Sequence, residues 1–177
     1  CDGDVTNCSG SGTVVDTSCT GSHTITYNAS DSAGNEATEV TRTVTVVDTT
    51  PPVINLNGDN PATAECKGSY VDAGATATDK CEGDLTGNIS TSSTVNTAEI
   101  GTYYVTYTVS DSSGNTAEVK RTVEVKDTLP PTLTLIGDAE VTIECMHEYI
   151  DGSANAYDIC NGALSNRVQT SGSIDVG

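Results

Sequence analysis

The chain has no tryptophan, no phenylalanine and a single methionine among its 177 residues, and seven tyrosines carry all of its aromatic content. A core without the larger rings must come from Val, Ile, Leu, Ala and Tyr, and it will be small. Basic residues are also scarce: seven Lys and Arg against 25 Asp and Glu leave a formal charge of -18. That imbalance repels nucleic acid and anionic membrane surfaces and excludes both as partners. Cations and neutral glycans remain compatible. No apolar run approaches the ~18 residues of a membrane helix, and there is no initiator methionine or signal peptide. His23 and His147 stand at unrelated places in the repeat described next. No Ser or Thr stands out as a nucleophile, so nothing points to an enzyme.

What is present is repetition. DTTPPVINLNGDNPATAEC (Asp48 to Cys66) returns as DTLPPTLTLIGDAEVTIEC (Asp127 to Cys145), and Cys81 returns as Cys160, a period of 79 residues. TYNASDSAGNEATEVTRTVTVVDTTPP (Thr26 to Pro52) returns as TYTVSDSSGNTAEVKRTVEVKDTLPP (Thr106 to Pro131). A fixed period makes each unit one structural module. Residues 1–47 read as the later part of one module, 48–126 as a complete module, and 127–177 as the earlier part of a third. Both ends are expected to fall inside modules of a longer array.

A module of this size buries only about 60 to 65% of its unfolded surface, so a covalent constraint is expected. Cys66 and Cys81 recur as Cys145 and Cys160 with the same 15-residue spacing. This spacing favours a disulfide inside each module, worth roughly 3 kcal/mol on the loop-entropy argument. Metal ligation is the alternative, but no C-x-x-C or shared Cys/His set accompanies the pairs. Cys8 and Cys19 appear in one copy only and are expected to pair with each other, leaving Cys1 for a cysteine upstream. Disulfides of this kind imply an oxidising compartment.

Short period-2 segments with frequent turn signals and no helix-period stretch predict an all-β fold of tandem antiparallel Ig-like sandwiches, each with an internal disulfide. Val53 to Leu56, Ala62 to Cys66 and Leu85 to Thr91 read as short strands, and Tyr70 to Thr78 as irregular. In the last hairpin Tyr103, Val105, Tyr107 and Val109 share one face. Val119, Val123 and Val125 share the inner face of the return strand, interrupted by Arg121.

Several residues invite a site. Asn7, Asn28 and Asn88 each begin an N-x-Ser sequon, which permits glycosylation without requiring it. Asp72, Asp79, Glu82 and Asp84 gather around Cys81 in sequence and offer the hard oxygens that Ca²⁺ takes. In the next copy Glu82 becomes Asn161 and Asp84 becomes Ala163, which favours solvated turn carboxylates; Ca²⁺ is the one cofactor to consider, and none other is expected. Asp31-x-x-Gly34-Asn35 and Asp111-x-x-Gly114-Asn115 read as hairpin chemistry.

These motifs together, D-T-x-P-P at each module start, E-C-x-x-x-Y-x-D-x-x-A-x-A-x-D-x-C (Glu65 to Cys81 and Glu144 to Cys160) and G-T-Y-x-V-x-Y-x-V-S-D-x-x-G-N (Gly101 to Asn115), resemble bacterial-type Ig-like repeats and hyalin-type repeats. The resemblance covers essentially the whole chain. It implies an extracellular or cell-surface location and a module of an adhesin, a stalk or a filament, algal mastigonemes included. Residues and resemblance lead first to a structural module of a stalk or filament whose partners are other copies of the repeat. The alternative is an adhesin or glycan-binding repeat.

Overall fold

A computed structural model describes residues 15, 17, 18 and 20–172. Cys1, Cys8, Cys19 and Asn7 lie outside the described residues, and with them the expected Cys8–Cys19 bridge, the partner of Cys1 and the first sequon.

Every long element is a strand. β1 (Gly21–Tyr27) and β2 (Val40–Val46) pair antiparallel from Gly21↔Val46 to Tyr27↔Val40. The next repeat holds β3 (Val53–Leu56), β4 (Ala62–Glu65), β5 (Ala75–Asp79), β6 (Gly83–Asp84), a 3₁₀ turn at Thr86–Asn88, β7 (Ser90–Ser93), β8 (Gly101–Ser110) and β9 (Thr116–Lys126). β10 (Thr132–Leu135), β11 (Ala154–Asp158), β12 (Gly162–Ala163) and a 3₁₀ turn at Ser165–Arg167 follow. The sheets run β3-β5-β6, β4-β9-β8-β7 and β10-β11-β12. This is the all-β, Ig-like sandwich that the alternating pattern predicts.

Three details differ from the sequence reading. β3 and β4 belong to different sheets, so Gly58 to Pro61 carries the chain from one sheet to the other, and β4 runs parallel to β9. Tyr70 to Thr78 contains most of β5, whose inward positions are Ala77 at 0% exposure and Asp79 at 7%. Alanine and a carboxylate carry too little hydrophobic contrast to announce a strand. Finally, Leu85 to Ile89 turns through the 3₁₀ segment instead of extending, and only Ser90 and Thr91 of the expected strand extend, in β7. Asp84 Oδ1 accepts from the Thr86 amide at 2.9 Å, and Thr86 Oγ1 accepts from the Ala77 amide at 3.1 Å. Side chains that bond the local backbone compete with strand formation in this way.

The chain gathers into two compact units, each drawing on two successive repeats: one of Cys1–Asn60, Asp72–Ser93 and Tyr104–Arg121, the other of Pro61–Val71, Thr94–Tyr103 and Thr122–Gly177. In the first, Ile54, Ala77, Leu85, Val105, Tyr107 and Val109 are buried; in the second, Ala64, Cys66, Val123, Val125 and Ala156.

Among the described residues, the largest fully buried side chain is not apolar. Arg121, 1% exposed, sits in the first unit, where the sequence pattern showed only an interruption. Its Nε lies 2.9 Å from Asp72 Oδ1, Nη1 donates to the Asp59 carbonyl at 2.5 Å, and Nη2 donates to the carbonyls of Asn57 at 2.6 Å and Gly74 at 2.8 Å. The Tyr107 hydroxyl donates to Asp72 Oδ2, and the guanidinium carbon stands 6.0 Å from the Tyr107 ring centre. Burial, and next the hydrogen bond to Asp72, pushes the Tyr107 hydroxyl up, with Arg121 pulling it down. A planar cation with five donors can bind backbone carbonyls and a carboxylate at once, which suits a core too small to be held by apolar packing alone. Gly58 permits the close approach: its φ is +70°, and an added Cβ would meet the Ala73 Cβ at 3.1 Å.

Candidate functional site

The site that the fold builds twice is the junction where one repeat hands over to the next. It begins with strand register. β3 pairs antiparallel with β5, Val53 opposite Thr78, so the turn after β5 that holds Cys81 lies beside the segment entering the repeat. β4 pairs parallel with β9, Glu65 opposite Lys126, so Cys66 lies beside the segment leaving it, and the Cys66 amide donates to the Lys126 carbonyl at 2.7 Å.

That register overturns the expected pairing. The disulfide joins Cys66 to Cys160, 94 residues apart with Cα atoms 5.5 Å apart, whereas Cys81 and Cys145 are free thiols. The bridges Cys66–Cys81 and Cys145–Cys160 inside each module do not form. The spacing argument measured the shortest loop; the parallel β4–β9 pair instead carries Cys66 to the start of the following repeat. A loop this long also restricts the unfolded chain more, about 4.7 kcal/mol against 3.

Around the bridge the linker is held. Glu65 Oε1 accepts from the Thr128 amide at 3.0 Å and Oε2 from the Thr128 hydroxyl at 2.6 Å. These hydrogen bonds, the hydroxyl's first, hold the Glu65 carboxyl below its usual range. Asp158 Oδ1 accepts from the amides of Cys160 at 2.8 Å and Asn161 at 2.7 Å, and Asn161 Nδ2 also donates to Asp127 Oδ2 at 2.7 Å. The Asn161 amide is the main cause that lowers the Asp158 pKa, against desolvation and with help from Lys67.

The entering side of the preceding junction repeats the arrangement without the bridge. Asp79 Oδ1 accepts from the amides of Cys81 at 2.6 Å and Glu82 at 3.0 Å. Ligand atoms of Asp48, Asp79 and Cys81 all lie within 4.8 Å of one another, and among the described residues Asp48 Oδ2 and Asp79 Oδ2 are buried without a hydrogen-bond donor. Desolvation, then Asp48 and Asp79, raises the Cys81 thiol pKa. One thiolate and two carboxylates could also bind a divalent ion such as zinc.

The four acids considered for Ca²⁺ do not converge as a set. Asp79 belongs to the cluster just described. Asp72 serves Arg121 and accepts from the Gly74 amide, Glu82 accepts from the Ser112 amide at 2.7 Å and from its hydroxyl, and Asp84 bonds Thr86. Of the sequons, Asn28 follows β1 and Asn88 closes a 3₁₀ turn, and both are exposed. The Asp-x-x-Gly-Asn segments are hairpin turns. Asp31 Oδ1 accepts from the Asn35 amide at 2.9 Å and Asp111 Oδ1 from the Asn115 amide at 2.8 Å, with Gly34 and Gly114 at φ +86° and +89°. His23 is half-buried on β1, and His147 is exposed in the turn after Cys145.

An all-β Ig-like sandwich repeat of this kind belongs to the class of tandem surface Ig-like modules. Residues 2–46 and 54–125 match the Ig-like domain of bacterial surface proteins, and the chain belongs to that family. It is also similar to hyalin of Strongylocentrotus purpuratus, 36% identical over 132 residues covering 70% of this chain and 11% of hyalin. Hyalin of Lytechinus variegatus is 32% identical over 134 residues, covering 70% and 24%. The chain thus spans under a quarter of either relative. Among solved structures, a lipoprotein of Bacteroides thetaiotaomicron matches 63% of this chain and 57% of its own, at 16% identity and a TM-score of 0.40. The chain is an extracellular or cell-surface module of structural or adhesion type. No helix among the described residues is long and apolar enough to cross a membrane.

Proposed function

We propose that the chain is a section of a stalk or filament in which Ig-like repeats are joined end to end at nearly fixed angles. The observation that carries this reading is the Cys66–Cys160 bridge, which ties two successive repeats directly across their linker. Three features support it. Pro130 and Pro131 restrict linker torsions, Glu65 grips Thr128, and the bridge removes most remaining freedom. A tether built for free motion would carry Gly and Ser instead. The charge of -18 keeps neighbouring rods apart, and glycans at Asn28 and Asn88 would add to that where the host attaches them. Negative-stain images of the protein are expected to show straight rods that become bent strings after reduction; bent strings before reduction would overturn the reading.

Adhesion to glycans is a second reading, favoured by Tyr104, which leaves 46% of its surface exposed on β8 where an aromatic platform could stack a sugar ring. A glycan-array signal abolished by Tyr104→Ala would support it, and a blank array would end it.

A further inference from the structure

Cys81 and Cys145 take no part in the bridge, yet each matches one half of it. By the 79-residue period Cys81 corresponds to Cys160 and Cys145 to Cys66. The correspondence extends to backbone shape. In the turn carrying Cys160, Asp158 Oδ1 binds the next two amides beyond Ile159 and Gly162 has φ +78°; in the turn carrying Cys81, Asp79 Oδ1 binds the amides of Cys81 and Glu82 and Gly83 has φ +77°. In the corner carrying Cys66, Lys67 has φ +56° and the Gly68 amide donates to the Glu65 carbonyl at 2.9 Å. In the corner carrying Cys145, Met146 has φ +66° and the His147 amide donates to the Glu144 carbonyl at 3.2 Å. Positive φ at a non-glycine residue is uncommon and carries strain, and here it recurs at the residue after the cysteine in both copies. Cys145 is exposed on its corner. Both half-sites therefore have the conformation of the closed junction.

We propose that Cys81 and Cys145 are half-sites for further inter-repeat disulfides: Cys81 bonds the Cys66-type cysteine of another copy of the repeat, and Cys145 bonds a Cys160-type cysteine. The occupant is the same in both cases, a copy of this repeat presenting the complementary half. The result is a ladder with one covalent rung at every junction. This deepens the stalk reading and rests on it for its purpose, though not for its chemistry. Each rung forms by thiol–disulfide exchange with a small disulfide oxidant, R–S–S–R. One cysteine thiolate attacks it to give a mixed disulfide and one R–SH; the partner thiolate then attacks the cysteine sulfur of that mixed disulfide, releasing the second R–SH. Two thiols are oxidised, one disulfide is reduced, and the extracellular setting supplies the oxidant class.

The test is disulfide mapping by mass spectrometry after alkylation without reduction, on two preparations. In the protein from its natural source, Cys81 is expected in a peptide linked to a Cys66-type cysteine of a neighbouring copy. In the 177-residue chain secreted alone, mixed from isotopically light and heavy cultures, Cys81 is expected linked to Cys145 of a second chain, giving hybrid-mass peptides and reducible oligomers. A link in the first preparation only assigns the partner to the neighbouring repeat of the same chain; a link in the second shows that separate copies also join. Cys81 alkylated as a free thiol in both, a Cys66–Cys81 peptide, or a stoichiometric zinc ion lost in Cys81→Ser would each overturn the proposal. The stalk reading fails separately: rungs found in particles that image as limp strings would sink it and leave the ladder standing.

Discussion

Ile54 and Leu133 hold the same position in successive repeats, yet Ile54 is 8% exposed and Leu133 68%. The strands around them are alike. β3 meets β5 from Val53↔Thr78 to Leu56↔Ala75, and β10 meets β11 from Thr132↔Tyr157 to Leu135↔Ala154. Strand pairing thus forms in the same register whether or not a core lies behind it. What differs is the last hairpin, because the repeat that begins at Asp48 contains β8 and β9. The same contrast holds for arginine. Arg121 is buried against Asp72 and three carbonyls, while its counterpart Arg42 is exposed, its guanidinium carbon 5.8 Å from the centre of the Tyr27 ring. Local sequence sets the sheets, and distant segments decide what becomes interior.

The contrast is broken hardest at the arginines. Arg121→Ala removes a fully buried guanidinium together with its bonds to the half-buried Asp72 carboxylate and to three carbonyls, and is expected to cost about 3–5 kcal/mol in chemical denaturation. Arg42→Ala removes an exposed ring contact and is expected to cost under about 1 kcal/mol. Equal losses would mean that the burial of Arg121 contributes nothing.

Next comes the bridge. Cys66→Ser is expected to lower stability by about 2–5 kcal/mol and to make Cys160, not Cys81, newly reactive to alkylation. Labelling that appears at Cys81 instead would restore the pairing suggested by spacing.

A smaller effect separates the matched apolar positions. Ile54→Ala is expected to cost about 2–4 kcal/mol, whereas Leu133→Ala in this chain should stay within about 0.5 kcal/mol. A large loss at Leu133 would show that its face is covered after all.

The mildest effect is that of pH. Desolvation pushes Asp111 up, but hydrogen bonds from the Asn115 side chain and from backbone amides outweigh it, and the net pKa is lowered, as it is at Asp158. A depressed carboxylate contributes stability above its unfolded pKa, near 4, and loses that contribution as pH falls through the folded value. Melting temperature should therefore decline on acidification below about pH 4, and Asp111→Asn should flatten the decline. An unchanged slope in that variant would remove the turn from the account.

Much of this was legible in the residues. The period, the β class and the Asp-x-x-Gly-Asn turns follow from spacing and from short-range chemistry, because alternation and local hydrogen bonds act within a few residues. Arg121 was visible only as a break in an apolar series. Its partners Asn57, Asp59, Asp72 and Gly74 lie 47 to 64 residues away where hydrogen bonds join them, and no local signal marks them. The junction was half legible: the cysteines and the D-T-x-P-P linker stand out, but their pairing does not.

By itself, then, the sequence determined that the chain is a run of acidic β-repeats with cysteines in fixed phase. Tertiary structure alone decided which sulfurs meet. A disulfide requires Cα atoms within about 7 Å, and that distance is set by β4 lying parallel to β9, a pairing between segments some 60 residues apart. Spacing along the chain measures loop length, whereas strand register measures distance in space, and the bond answers to distance.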